Sequence, residues 1–205
     1  MAYRLPVGRV SSRHILITCQ LGLTERLGRD GKYLSCQETM VAATLESVVE
    51  SIVRSYVCVL VDLVANVGSQ AHGGQLLVTV GALQPGQSVT ADRCAEISRA
   101  IGEELESRSL DSGWGERYTL EVGTPGLTRK LRSERELAYG VGRPVRAVLR
   151  PTADNKGGEV VLGVLARVES QQFEIDTGSG VRTIARDSVK TIQLDLLAAP
   201  SRARR

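Results

Sequence analysis

The chain has 205 residues, of which 42% are hydrophobic, 3% aromatic and 24% charged, and its net charge is +3. This length allows one domain or two small ones, with enough apolar content for a core. The shortage of aromatic residues argues against a platform of several rings for stacking bases. No apolar run approaches the length of about 20 residues that a membrane span needs, so we expect no membrane contact.

The first half of the chain predicts a small α/β domain over residues 39–127. Residues 1–38 show no sustained periodicity, and we interpret them as a flexible extension or as a start site assigned upstream of the true one. From Thr39 apolar residues recur at helical spacing, and a second helix follows Thr90, a suitable N-cap. The predicted order is helix–strand–strand–helix–strand, with strands over 56–65, 75–80 and 118–122.

The third strand runs into a turn that introduces a basic segment. The sequence Thr-Pro-Gly-Leu at 124–127 fits a type II turn, in which Pro125 sets φ at the second position. Gly126 would accept the positive φ that the third position needs. Such a turn would present three cations to solvent as a fixed cluster, namely Arg129, Lys130 and Arg132.

The remainder of the chain predicts a basic connector and a β-rich domain. Residues 128–142 form the connector, with a short helix over 133–138 in which Ser133 and Glu136 have capping-box spacing. Over residues 143–196 five short strands are separated by Gly-containing turns, a pattern typical of a closed or nearly closed barrel. Residues 197–205 form a basic tail. The predicted fold class is therefore α+β.

The charges are distributed unevenly along the chain. Residues 90–122 carry four bases and eight acids, whereas residues 123–150 carry seven bases and two acids. Such asymmetry fits a protein that meets phosphate with one surface and a basic protein with another, although two solvated faces would produce the same pattern. The candidate phosphate-binding residues are Arg129, Lys130, Arg132, Arg135, Arg143 and Arg146. There are two candidate surfaces for a basic protein: the C-terminal β-rich domain and the acidic second helix, with Glu96, Glu103, Glu104 and Glu106.

The residue types that catalysis requires are not grouped in this sequence. The two histidines, His14 and His72, fall in the extension and in a Gly-rich loop. Cys94 lies in the apolar stripe of the second helix, which predicts a buried thiol and argues against a Cys94–His72 dyad. The four cysteines are too far apart for a metal motif. We therefore expect a binding protein that is not an enzyme and that has no metal or cofactor.

Two motifs resemble the ribosome maturation factor RimP family. The strand Tyr-Thr-Leu-Glu-Val at 118–122, followed by Pro-Gly and a leucine, is similar to the family's strand-and-turn motif. The sequence Cys-Ala-Glu-Ile-Ser-Arg at 94–99 is similar to its helix motif. The chain departs from the family pattern at Gly81, at Gly123–Thr124 and at Lys130. These departures indicate a divergent member, in which Arg99 and Glu121 are motif residues that a simple ion pair within the fold would also explain.

The resemblance implies a fold and a function. It implies that the C-terminal domain is an SH3-like barrel and that the protein is a monomeric, cytoplasmic, non-enzymatic assembly factor. Such a factor binds the immature small ribosomal subunit, assists late folding of its rRNA and promotes incorporation of a ribosomal protein near the decoding centre. The alternative is a general RNA-binding module that acts in translation or RNA turnover without specificity for the subunit.

Overall fold

The computed structural model of the protein describes residues 3–6, 26–27, 33–34, 36–66, 73–110, 118–151 and 158–197. Within these residues it contains three α-helices and two larger sheets, which confirms the predicted α+β class. The chain divides into two compact units. The first comprises residues 1–80 and 89–123, and the second comprises residues 81–88 and 124–205.

The first unit is a four-stranded sheet with two helices. Its elements are β1 (Tyr3–Pro6), β2 (Arg26–Leu27), β3 (Tyr33–Leu34), α1 (Cys36–Ser55), β4 (Cys58–Asn66), β5 (Gln75–Ala82), α2 (Ala91–Ser107) and β6 (Thr119–Gly123). The strand order is β1-β6-β5-β4, with β5 and β6 parallel and β1 antiparallel to β6. The predicted order helix–strand–strand–helix–strand is confirmed for α1 to β6.

The segment interpreted as an extension contains three short strands. Within residues 1–38 the structure forms β1, the pair β2–β3 and the first residues of α1, which starts at Cys36 rather than at the predicted Thr39. Tyr3 lies opposite Val122, so β1 covers the edge of β6. The sequence did not predict β1, because a four-residue strand is too short for periodicity to be recognised.

The core of the first unit follows from the amphipathic pattern of the two helices. Val49 and Val53 of α1 and Ile97 and Ile101 of α2 are fully buried, together with alternate residues of the strands. The predicted cap of α2 is confirmed, since the backbone N–H of Arg93 donates to the Thr90 hydroxyl at 3.3 Å.

The second unit is an antiparallel sheet with one short helix. Its elements are α3 (Glu134–Gly140), β7 (Pro144–Leu149), β8 (Val160–Val168), β9 (Gln172–Asp176), β10 (Val181–Ala185), a 3₁₀ turn at Arg186–Ser188 and β11 (Val189–Leu194). All five predicted strands are present, in the order β10-β9-β8-β7-β11. Leu131 and Leu137, from the segment interpreted as a connector, are buried in this unit's core. Residues 198–205 of the predicted tail lie outside the described residues.

Candidate nucleic-acid interface

The basic segment that follows β6 pairs with the outer edge of β11. Leu131 N donates to Ile192 O at 2.9 Å, and Leu194 N donates to Arg129 O at 2.8 Å. A third bond joins Leu196 N to the carbonyl of Leu127 at 3.1 Å. This antiparallel ladder places Lys130 opposite Gln193. The side chains of the segment therefore project from a backbone that is held at three points.

The turn before this segment is not the predicted type II turn. Among the described residues, five glycines have a positive φ, and Gly126 is not one of them. The hydrogen bond that closes the turn joins Arg129 N to Gly126 O at 3.3 Å. Gly126 is thus the first residue of a later turn, a position that requires no positive φ. The assignment of Pro125 and Gly126 as its central residues was wrong, and pairing with β11 positions the cations instead.

A buried carboxylate connects the basic segment to α3. One oxygen of Glu136 accepts from the N–H groups of Arg132 and Ser133, at 2.8 and 2.9 Å. The other accepts from Nε of Arg129 at 2.8 Å. The Ser133 hydroxyl accepts from Glu136 N at 3.2 Å, so the predicted capping box is confirmed. The start of α3 and the two arginines therefore form one hydrogen-bonded group.

The environment of Glu136 keeps it ionised. Burial acts to raise the pKa of the carboxyl, because a charge loses its hydration there. The backbone hydrogen bonds from Ser133 and Arg132 and the guanidinium of Arg129 act in the opposite direction. Their combined effect is larger, and the pKa of Glu136 lies below its ordinary value.

A groove of about 390 Å³ lies between the basic segment, α3 and β11. Its charged lining residues are Lys130, Arg132, Glu134, Arg186 and Lys190. Four of these five are basic, and Lys130, Arg132 and Lys190 are exposed. Among the described residues, none of the three exposed cations has an ion-pair partner. The groove therefore offers positive charge that the described residues do not neutralise.

Arg186 is held in a defined orientation at one side of the groove. Its two terminal nitrogens donate to the two carboxylate oxygens of Glu134, at 2.8 and 2.9 Å. The guanidinium carbon lies 5.1 Å from the centre of the Phe173 ring, a cation–π distance. The hydrogen bond from Arg186 lowers the pKa of Glu134. A fork-to-fork pair of this kind fixes the plane of the guanidinium.

The six predicted phosphate-binding residues occupy different environments. Lys130, Arg132 and Arg146 are exposed, and Arg135 is half-buried. The side chain of Arg129 is 25% exposed and is paired with Glu136. Lys130, Arg132 and Arg146 are therefore the predicted cations best placed to meet a ligand.

Arg143 has a structural role instead. It is 5% exposed, and its guanidinium donates to the carbonyl of Ala82 at 2.7 Å and to that of Tyr139. It also lies 3.8 Å from the centre of the Tyr139 ring. Because these contacts occupy it inside the second unit, Arg143 does not belong to the candidate interface.

Sheet register places Arg146 on the same face as Lys130. Gln193 of β11 lies opposite Arg146 of β7 and also opposite Lys130. Residues that are directly opposite one another in adjacent strands point to the same side of a sheet. Lys130 and Arg146 are therefore two strand spacings apart, about 10 Å, on one face.

Sequence reasoning missed two residues of the groove, Arg186 and Lys190. Both lie more than fifty positions after Lys130, and only the pairing of β11 with the basic segment brings them together. Nothing local distinguishes Lys190 from other lysines at strand ends. Arg186 follows β10 and is recognisable only through its pair with Glu134.

The two motif residues of the first unit are accessible. Arg99 of α2 is exposed, and Glu121 of β6 is half-buried. Some acids of α2 have helical partners: Glu96 pairs with Arg93 at 3.1 Å, and Glu104 pairs with Arg108 at 2.6 Å. The acidic face of α2 is thus partly neutralised by its own helix.

The side chains that the sequence analysis weighed for catalysis are Cys94 and the two histidines. Cys94 is 1% exposed, which confirms its predicted burial, and burial raises the pKa of its thiol. His14 and His72 lie outside the described residues. In the described part of the chain, no three His, Cys, Asp or Glu side chains are grouped as metal ligands would be. None of the helices described there is both long and apolar enough to cross a bilayer.

Comparisons with known proteins agree on one family. A family model for the RimP N-terminal domain matches residues 48–128. The ribosome maturation factor RimP of Synechococcus sp. (strain WH7803) is 33% identical over 110 residues, 53% of this chain and 67% of the relative. That of Synechococcus sp. (strain RCC307) is 32% identical over 121 residues, 58% and 74% of the two chains. That of Nitratidesulfovibrio vulgaris (strain DP4) is 35% identical over 100 residues, 48% and 56%.

Proposed function

The chain belongs to the RimP family of ribosome maturation factors, and from this premise we propose that it promotes maturation of the small ribosomal subunit by binding rRNA without catalysis. The observation that carries the proposal is the grouping of Lys130, Arg132 and Lys190 around one groove. Cations that have no ion-pair partner in the described part of the chain, on a backbone held by β11, suit the phosphates of a folded RNA. Contacts of this kind position an RNA without reading its bases.

The proposed mechanism is differential binding. Cations that project from an ordered backbone make their full set of phosphate contacts with only those rRNA conformations whose phosphates have the matching spacing. The factor therefore favours such conformations by its differential affinity, and it consumes no chemical energy. Each phosphate contact also releases counterions, so the affinity falls as salt rises.

We propose that the ribosomal protein, the second partner beside rRNA, binds the first unit. The exposed face of α2 carries an excess of acids, as a surface for a basic ribosomal protein near the decoding centre would require. We further propose that the bulged antiparallel sheet of the second unit is an SH3-like barrel. The protein would act as a monomer in the cytoplasm, where small subunits are assembled.

Co-sedimentation tests the function. The purified protein is centrifuged with free small subunits, free large subunits or whole ribosomes, at several salt concentrations. We expect selective association with free small subunits. Equal association with all three, or with bulk RNA, would favour the general RNA-binding module and contradict the proposed function.

A matched pair of variants locates the binding surface. Lys130→Ala with Arg132→Ala removes two groove cations, and Arg167→Ala with Arg182→Ala removes two cations from the same unit outside the groove. Only the first pair should weaken subunit binding and reduce the salt slope, by about 0.7–0.9 for each phosphate that the protein no longer neutralises. Equal effects of the two pairs would mean that net charge alone drives binding.

A further inference from the structure

The groove of the second unit combines two kinds of surface. Its rim is cationic, whereas part of its lining is apolar, with Leu131, Leu137 and Phe173. A site for phosphate alone needs only the cations. A volume of about 390 Å³ is at the lower end of the roughly 300–1,000 Å³ typical of small-ligand sites. The space therefore suits one small unit with an anionic part and a flat apolar part.

Arg186 supplies a flat surface. Both terminal nitrogens are engaged by Glu134, and Nε is buried without a hydrogen-bond partner among the described residues. The edge of the guanidinium is thus occupied or enclosed, while the side chain remains 24% exposed. The guanidinium carbon lies 5.1 Å from the centre of the Phe173 ring, and both residues line the groove, so the exposed part of the Arg186 side chain is the surface left for a ligand there. Unpaired bases stack on guanidinium planes of this kind.

We propose that the groove binds one unpaired nucleotide of RNA, with its base on the face of Arg186 and its phosphates on Lys130, Arg132 and Lys190. This inference rests on the proposed function, and it makes the ligand of the site a single strand rather than a duplex. A duplex keeps its bases stacked on each other, so it could use only the cationic rim. The few aromatic residues of the chain do not limit this site, because the stacking surface is an arginine.

The test compares two labelled strands with the same number of phosphates. One is a short oligouridine and the other is an abasic strand, and their affinities are measured by fluorescence anisotropy. We expect the parent protein to bind oligouridine about tenfold more tightly, since one base stacked on a protein side chain contributes on this order. Equal affinities, or equal binding of poly-glutamate with the same number of charges, would overturn the inference.

The variant Glu134→Gln separates two effects. Removing the charge of Glu134 and releasing the orientation of Arg186 should change the binding of the two strands in different ways. Loss of a negative charge should tighten binding of the abasic strand. Release of the Arg186 plane should lower the preference for oligouridine at least threefold. The control is Glu159→Gln, which releases Arg182 from another two-bond pair, outside the groove. If Glu134→Gln kept the full preference, Arg186 would not be the stacking surface.

Co-sedimentation of the same proteins separates the two proposals. Selective binding to small subunits without any preference for oligouridine would overturn the groove inference and leave the function intact. A clear preference for oligouridine without subunit selectivity would overturn the proposed function and leave the nucleotide site intact.

Discussion

Replacing Glu136 with glutamine tests whether its carboxylate holds the basic segment and α3 together. The side chain of Glu136 is 6% exposed, and its carboxylate accepts from two backbone N–H groups, from the Arg129 guanidinium and from the Ser133 hydroxyl. Glutamine has nearly the same shape but carries only one acceptor oxygen. Whichever way the amide is oriented, its NH₂ group faces at least one donor.

The size of the effect follows from these contacts. A hydrogen bond to a charged group contributes about 1.5–3 kcal/mol, and a buried donor left without a partner costs about 1–3 kcal/mol. We expect Glu136→Gln to lower the free energy of unfolding by about 2–4 kcal/mol at neutral pH. That is a large part of the 5–15 kcal/mol typical of a whole domain, on the order of a third.

The stability difference between the parent protein and Glu136→Gln should depend on pH. The pKa of Glu136 is lowered in the folded protein from a reference value of 4.5. Its contribution to stability is therefore fully present above pH 4.5 and is lost as pH falls through the folded-state pKa. The stability difference between parent and variant should narrow over that acidic range and stay constant above it.

Urea unfolding at neutral and acidic pH measures both quantities. The control is Glu159→Gln, which removes a carboxylate from a surface ion pair and should change stability far less. If Glu136→Gln unfolded like the parent at neutral pH, the carboxylate would not hold this segment. If the difference did not change with pH, its cause would be packing rather than charge.

Three backbone predictions are independent of the groove, and thermal unfolding measures each. Val57 is 71% exposed with φ of 58°, so Val57→Gly should stabilise the protein by about 0.5–1 kcal/mol, the left-handed penalty less the entropy of glycine; destabilisation would mean that Val57 packs on something. Gly126→Val should change the free energy of unfolding by less than about 0.5 kcal/mol, because φ of Gly126 is not positive and a Cβ would have no neighbour within 4 Å. A larger loss of stability would support the type II turn that the sequence predicted. Gly81→Ala should cost about 1–3 kcal/mol, since its Cβ would lie 2.6 Å from Cζ of Tyr139, and Tyr139→Leu should recover part of that loss.

The features that depend on sequence neighbours could be predicted. Ser133 and Glu136 are three residues apart, and their reciprocal bonds form as the capping-box spacing indicates. The five strands predicted within residues 143–196 are all present, because alternation and flanking turns are local patterns. The burial of Cys94 followed from helical spacing in the same way.

The features that depend on distant contacts could not be predicted. Arg143 resembles any exposed arginine of a basic segment until the fold brings the carbonyl of Ala82 to it, from 61 positions away. The hydrogen bond between Leu131 and Ile192 likewise depends on the fold, which brings β11 beside the basic segment. The Gly126 prediction failed for a related reason: Pro-Gly permits a type II turn, but pairing with β11 determines where the chain bends.

These distant contacts explain how binding and stability can be separated in this protein. The backbone of the basic segment is stabilised by its ladder with β11 and by Glu136, whereas the ends of Lys130 and Arg132 stabilise nothing among the described residues. Because the backbone is already ordered, a ligand that binds these cations pays mainly for the ordering of their side chains. Loss of either cation should therefore lower the affinity for RNA while the melting temperature stays constant. Loss of the Glu136 carboxylate should lower both the affinity for RNA and the melting temperature.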